Sequence, residues 1–176
     1  MLKHITIEGV RNLTRAQVTL PAGATVLFGA NGSGKTSFLE AIHLLGVGRS
    51  FRTHQSKPVI QHGMAHCRVV GEVQRGSRST VMGLEKHRDG GVKARVGGEN
   101  VPSLSELALH LPLVLLDTEG LGIVTGPPEG RRRLLDGTLF HVEQGFLSQW
   151  KRYALAVRQR NSGLRRGIPV SYTHLT

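Results

Sequence analysis

The chain has 176 residues and sets 23 lysines and arginines against 12 aspartates and glutamates, a formal charge of +11. That length allows one core of ordinary size, and a basic excess of that extent points to a polyanionic partner, nucleic acid first. A single cysteine, Cys67, excludes an intramolecular disulfide, the opening MLKHITIEGV has no apolar signal core, and no window approaches the about 20 apolar residues of a membrane span, so the expectation is a cytoplasmic protein with no membrane partner.

Leu2, Ile5, Ile7 and Val10 nearly alternate, which predicts a strand, and AQVTL at 16–20 predicts its hairpin partner across the polar RNLTR. PAGATVLFG then reads as a turn and a short buried strand, Thr25 to Phe28. TSFLEAIHLLGVG follows as a helix with Phe38, Leu39, Ile42 and Leu45 on one face, stopped by Gly46 and Gly48. Between 57 and 101, AHCRVVGEVQRG, STVMGLEKH and GVKARVGGENV are short strand-like runs divided by glycine-rich turns, an antiparallel meander of about three strands. SLSELALHL offers Ser103 as N-cap with Glu106 three residues on, and PLVLLD is a second buried strand. EGRRRLLDGTLF and VEQGFLSQWKRYALAVRQRNSGLRR are helical, the second with Phe146, Trp150, Tyr153, Leu155 and Val157 along one side. The final SYTHLT has no periodicity and is expected to be foreign to the protein.

Gly29-Ala30-Asn31-Gly32-Ser33-Gly34-Lys35-Thr36 matches G-x-x-x-x-G-K-[ST], the P-loop or Walker A pattern, between a strand and a helix. Glycines let successive N–H groups wrap a phosphate where a Cβ would interfere, and the helix adds the positive end of its dipole. Lys35 supplies a point charge for the β- and γ-phosphates, and Thr36 a hydroxyl for Mg²⁺. The expected ligands are therefore ATP and Mg²⁺. LVLLDTE places Asp117 and Glu119 at the end of an apolar run, where a magnesium-binding acidic residue is sought.

ITIEGVRNL, the hairpin and FGANGSGKTSFLEAIHLLGVGRSFRT together resemble the opening of the RecF family of recombination-repair ATPases. VIQHG, LVLLDTEGLGIVTGPPEGRRRLLDGTLF and YALAVRQRNSGLR continue the likeness in order, over residues 2 to about 166. The chain departs from the family's usual spelling at Val10, Gly120 and Gly137. The resemblance implies an α/β fold: a P-loop NTPase with a partial ABC/SMC-like ATPase head, an antiparallel meander and the start of a helical arm. The expected division is residues 1–142 as head, 143–168 as the beginning of the arm (lobe II), and 169–176 as a non-native tail. It further implies that the true Walker B and signature segments follow the arm. Asp117 would then mimic Walker B on a loop before the arm, and a place near the phosphates for Asp117 or Glu119 stays open beside plain strand-end polarity. Arg11 and Asn12 become expected nucleotide contacts, with a solvated turn as the alternative.

Arg131, Arg132 and Arg133 at a helix start, and Lys151 and Arg152 with Arg158, Arg165 and Arg166 further on, are the expected DNA-backbone contacts. Arg49, Phe51 and Arg52 either touch DNA or brace the loop. His62, His66 and Cys67 lie in a turn and strand without a carboxylate companion, which argues against a metal site. The function implied is ATP-dependent dimerisation on single-stranded or gapped duplex DNA and recombinase loading in DNA repair, replication restart and the SOS response to damage. Recombination mediator proteins and a second copy of the chain are the expected partners. The chain alone is expected to turn over no ATP. A transporter-type ABC subunit and a P-loop kinase not acting on DNA are the alternatives.

Overall fold

The computed structural model describes residues 1–116, 126–143 and 145–166. The chain divides into two compact units, Met1–Leu115 and Leu116–Thr176. The first is a six-stranded antiparallel sheet in the order β2-β1-β3-β4-β5-β6. Strand β1 (Leu2–Val10) turns through Arg11 and Asn12 into β2 (Leu13–Thr19), and Val10 faces Leu13 across the turn. The connection is thus shorter than RNLTR suggested. After α1 (Lys35–Val47), the chain returns as β3 (His66–Arg75) on the free side of β1. It then runs as a meander through β4 (Arg78–His87), β5 (Val92–Val96) and the two-residue β6 (Glu99–Asn100).

Alternation puts one set of side chains inside. Ile5 and Ile7 of β1 are fully buried, and Ile7 faces Val69, which faces Leu84, which faces Ala94. Helix α1 lies against this row, and Gly71 leaves the space that Leu45 of the helix fills. The outer face carries the other set. Across the strands runs Arg15, Glu8, Arg68, Glu85 and Lys93, each facing the next. Arg68 and Glu85 pair at 2.7 Å and Arg15 and Glu8 at 3.9 Å, so the row is a ladder of alternating sign.

Helix α1 is rotated from the face that apolar spacing predicts. Its buried residues are Ser37, Phe38, Glu40, Ala41, Leu44, Leu45 and Gly46, while Leu39 is 47% exposed. The rotation puts a carboxylate, Glu40, inside, and its ion pairs make that tolerable. The helix ends at Gly48 (φ 76°), whose N–H donates to the Leu44 carbonyl at 2.8 Å. Lys86 of β4, itself buried, donates to the Gly48 carbonyl at 3.3 Å, where the helix end favours a cation. Burial holds the Lys86 pKa below its ordinary value.

Helix α2 (Ser105–His110) packs Leu107 into the core. The capping box expected of Ser103 and Glu106 is not made. The Ser103 hydroxyl sits 3.4 Å from the Ser105 N–H, and the Glu106 N–H donates to the Ser103 carbonyl instead. Neither apolar segment expected as a buried strand joins the sheet. Leu27 and Leu113 pack on the core, but Val26 and Phe28 are 78% and 91% exposed, and Val114 and Leu116 82% and 88%. Both segments keep one apolar side toward the core and have no ladder partner among the described residues. An apolar run offers a strand; only a neighbouring backbone makes it one.

In the second unit, α3 (Pro128–Val142) starts with proline at its first turn and Glu129 beside it, so the dipole end meets an acid rather than the arginine run. Arg131 turns back and donates to the Gly126 carbonyl at 3.0 Å. On α4 (Phe146–Arg165) no residue is buried. Phe146, Leu147, Ala154, Ala156 and Val157 are half-buried, whereas Trp150, Tyr153 and Leu155, expected on that side, are exposed. The Trp150 indole instead donates to Asp136 of α3 at 3.1 Å. Asp117, Glu119 and the segment 169–176 lie outside the described residues.

Gly46 tests how tightly α1 is seated. A Cβ there would sit 2.5 Å from Leu113 Cδ1 and 2.9 Å from the Leu111 carbonyl oxygen. Overpacking of this kind costs about 1–3 kcal/mol, more than the roughly 1 kcal/mol of helix propensity that alanine adds. Gly46→Ala is therefore expected to lower the urea unfolding midpoint; a raised midpoint would mean the helix is loosely docked.

Candidate phosphate-binding loop

Residues 29–34 carry the chain from the extended segment at Leu27 into α1 through conformations that favour glycine. Gly29, Gly32 and Gly34 have φ of 144°, 81° and 98°. Gly34 is also crowded, since a Cβ would lie 2.6 Å from Leu13 Cδ2. It caps α1, and its carbonyl accepts the Phe38 N–H at 2.8 Å. The first turn of α1 has no acidic residue and no side-chain cap, so its amide donors and dipole charge meet no local anion. Lys35 Nζ donates to the carbonyls of Gly29 and Ala30, both at 2.8 Å, which holds the ammonium across the loop. Thr36 is exposed in the first helical turn, and Ala30, Asn31, Gly32 and Ser33 are exposed around it. Donors, a cation and a hydroxyl thus converge where a Cβ would intrude.

The two hairpin residues expected at the nucleotide behave differently. Asn12 reaches the loop: its amide donates to the Gly32 carbonyl at 2.6 Å, and its oxygen accepts the Ser37 hydroxyl at 2.7 Å. Arg11 is directed to Glu40, with Nε to Oε2 at 2.9 Å and Nη2 to Oε1 at 2.8 Å. Glu40 also accepts the Ser50 hydroxyl at 2.5 Å and has Arg52 at 3.6 Å. Ser50 in turn accepts the N–H groups of Arg52 and Thr53. His43 contacts the Arg49 carbonyl at 2.7 Å and meets the Phe51 ring edge-on. The segment 49–53 therefore braces α1. Burial of Glu40 raises its pKa, but the bonds from Arg11 and Ser50 and the charges of Arg11 and Arg52 outweigh it, and the net value lies below the ordinary one.

Sequence reasoning missed Glu40. Its signal was position: Ser37 three residues before and Leu44 four after share its buried face. His66 and Cys67 fall on opposite faces of β3, the first beside His87 and the second buried. Arg132, Lys151 and Arg152 are exposed on α3 and α4, in the second unit.

A family model described as the RecF/RecN/SMC N-terminal domain matches residues 1–135. The DNA replication and repair protein RecF of Azotobacter vinelandii (strain DJ) is 45% identical over 167 residues, which cover 94% of this chain and 46% of that protein. The chain spans about half the length of the curated relatives it matches. A solved structure described as the recombination mediator protein RecF-ATP in the RecFOR pathway superposes with a TM-score of 0.86 at 25% identity, over 98% of this chain and 48% of that one. An SMC ATPase structure, described as showing ATP-driven dimerisation and DNA-stimulated activation, shares the fold at a TM-score of 0.62 and 19% identity, over 78% of this chain and 98% of that one.

Because the folded-state pKa of Glu40 is depressed, its contribution to stability is complete above the unfolded value of about 4.3 and is lost as pH falls through the lower folded value. Comparing urea midpoints of the natural chain and Glu40→Gln from about pH 6 to about pH 3 should show the gap closing toward acid. A gap that does not change with pH would place the charge elsewhere.

Proposed function

The chain belongs to the RecF/RecN/SMC N-terminal domain family, and from that membership and the loop geometry we propose that residues 29–36 bind ATP with Mg²⁺ and that the protein serves DNA replication and repair. The observation that carries the proposal is the glycine loop on the unpaired donors of α1, with Lys35 drawn across it. Gly29 to Gly34 hold phosphate oxygens by their amides, Lys35 meets the β- and γ-phosphates, and Asn12 fixes the loop from behind. Thr36 offers its hydroxyl to magnesium. Magnesium, when bound, neutralises charge on the phosphate oxygens. Arg11 is paired with Glu40, and Asn12 beside it makes the bond to the loop.

The DNA part of the proposal rests on the name carried by the RecF relatives and on charge. Arg131, Arg132, Arg133, Lys151 and Arg152 are assigned to phosphates of single-stranded or gapped duplex DNA, a contact without base reading. ATP-dependent pairing of two copies, recombinase loading and work beside recombination mediator proteins are assigned on the family resemblance. So is the division into a head of residues 1–142 and an arm beginning at 143. A cytoplasmic site of action fits these roles, and no described helix is long and apolar enough to cross a membrane.

Titration calorimetry with Mg·ATP tests the loop. Removing the charge-assisted bonds of Lys35 costs about 1.5–3 kcal/mol, so Lys35→Ala is expected to weaken binding by about ten- to a hundredfold. Equal affinity in the two proteins would overturn the assignment. For DNA, log affinity falls with log salt by about 0.7–0.9 per phosphate contact, so the Arg131→Ala, Arg132→Ala, Arg133→Ala triple variant should flatten that slope by about 2 to 3. An unchanged slope would remove this run from the DNA surface.

A further inference from the structure

A carboxylate excluded from water is costly to bury unless charges and hydrogen bonds surround it, and an apolar side chain of similar size is usually the cheaper occupant. Glu40 has no exposed surface and stands in the middle of the packed face of α1. Its principal partner makes a second unfavourable choice. Arg11 holds φ at 55°, a left-handed conformation that glycine or asparagine would adopt at lower cost. Two locally poor choices meet in one bidentate pair, and that pair sits at the hairpin turn whose next residue holds the phosphate-binding loop.

We propose that Glu40 is a positioning residue for the loop 29–36, acting through Arg11 and Asn12. The inference rests on that loop being the nucleotide site. The Arg11 fork fixes the turn from one side, and its N–H, donating to the Val59 carbonyl at 2.8 Å, fixes it from the other. With the turn immobile, Asn12 is delivered to the Gly32 carbonyl and the Ser37 hydroxyl. Leu13 completes the seat, lying where a Cβ of Gly34 would be. The same carboxylate takes the Ser50 hydroxyl, which in turn orders the N–H groups of Arg52 and Thr53. One buried group thereby ties the turn before the loop and the segment after α1 to the helix that carries the loop. Glu40 does not touch the ligand; it sets where the amides that do so are found.

The test uses the whole chain and two readouts. In the first, Mg·ATP affinity is measured for Glu40→Gln, Arg11→Lys, Asn12→Ala and the Glu40→Gln, Asn12→Ala pair, with Lys35→Ala as the control for the site. Glu40→Gln is expected to weaken binding about tenfold, the scale of one charge-assisted bond, and Arg11→Lys somewhat less. The pair should be no weaker than Asn12→Ala alone, within about twofold, because both act along one path. In the second readout, hydrogen exchange at the bonded amides of Arg11, Ser33 and Phe38 is followed without nucleotide. Glu40→Gln and Arg11→Lys should speed it about tenfold, while amides of β3 and β4 exchange as before. If Glu40→Gln does not fold, Arg11→Lys carries both readouts. Lys35-dependent binding that is indifferent to Glu40 and Arg11, or additive losses in the pair, would sink the proposal. So would unaltered exchange at the amides of Arg11, Ser33 and Phe38. If ATP binding proves independent of Lys35, the site assignment fails, and the exchange data alone decide whether Glu40 positions the loop.

Discussion

The Met1–Leu115 unit depends on one contact, the burial of a face of α1 against β1, β3 and β4. Ile5, Ile7, Val69, Met82 and Leu84 from the sheet meet Phe38, Ala41, Leu44 and Leu45 from the helix, all but dry. Gly71 lets the helix approach, and Gly46 lets Leu111 and Leu113 close over it. A helix held this closely has a fixed N-terminus. The amide donors at that terminus are thus placed by apolar packing at the other end of the same element, and a rigid element is what a precise polar site requires.

What the sequence made legible followed from local rules. The loop at 29–36 could be read because three glycines at those spacings have few other uses, and the backbone angles at Gly29, Gly32 and Gly34 are of the kind that demand them. The meander could be read because period-two alternation and glycine turns are local too; Val69, Val73, Met82 and Leu84 do point inward. What stayed hidden was relational. Nothing near Thr25 or Leu113 tells whether a neighbouring strand is available, so a correct sense of extended, half-apolar chain became an incorrect expectation of ladder pairing. Glu40 was hidden for the same reason. A carboxylate among apolar letters reads as the solvent side of a helix until Arg11, 29 residues earlier, and Ser50, ten later, are seen to converge on it. Trp150 misled differently: its spacing put it on the apolar side of the helix, but its N–H required a partner and found Asp136.

Arg11 and Asn12 show how adjacent residues of one turn divide two tasks. The resemblance placed both at the nucleotide. In the folded chain only Asn12 points at the loop, while Arg11 turns inward and is consumed by an acid. An arginine is drawn first to the buried anion within its reach, and Glu40, which has no exposed surface, is that anion.

The ladder of alternating sign on the outer face of the sheet has an effect that reaches beyond the sheet. Its three cations and two anions nearly cancel, so that row casts little field into the ionic atmosphere. The helical stretch 128–166, by contrast, holds nine lysines and arginines against three acids. Most of that excess has no acid beside it in the helices to offset it, so its field reaches further into solution. Attraction at a distance is thus concentrated where countercharges are missing, and the paired row, its charges spent on one another, adds little to it.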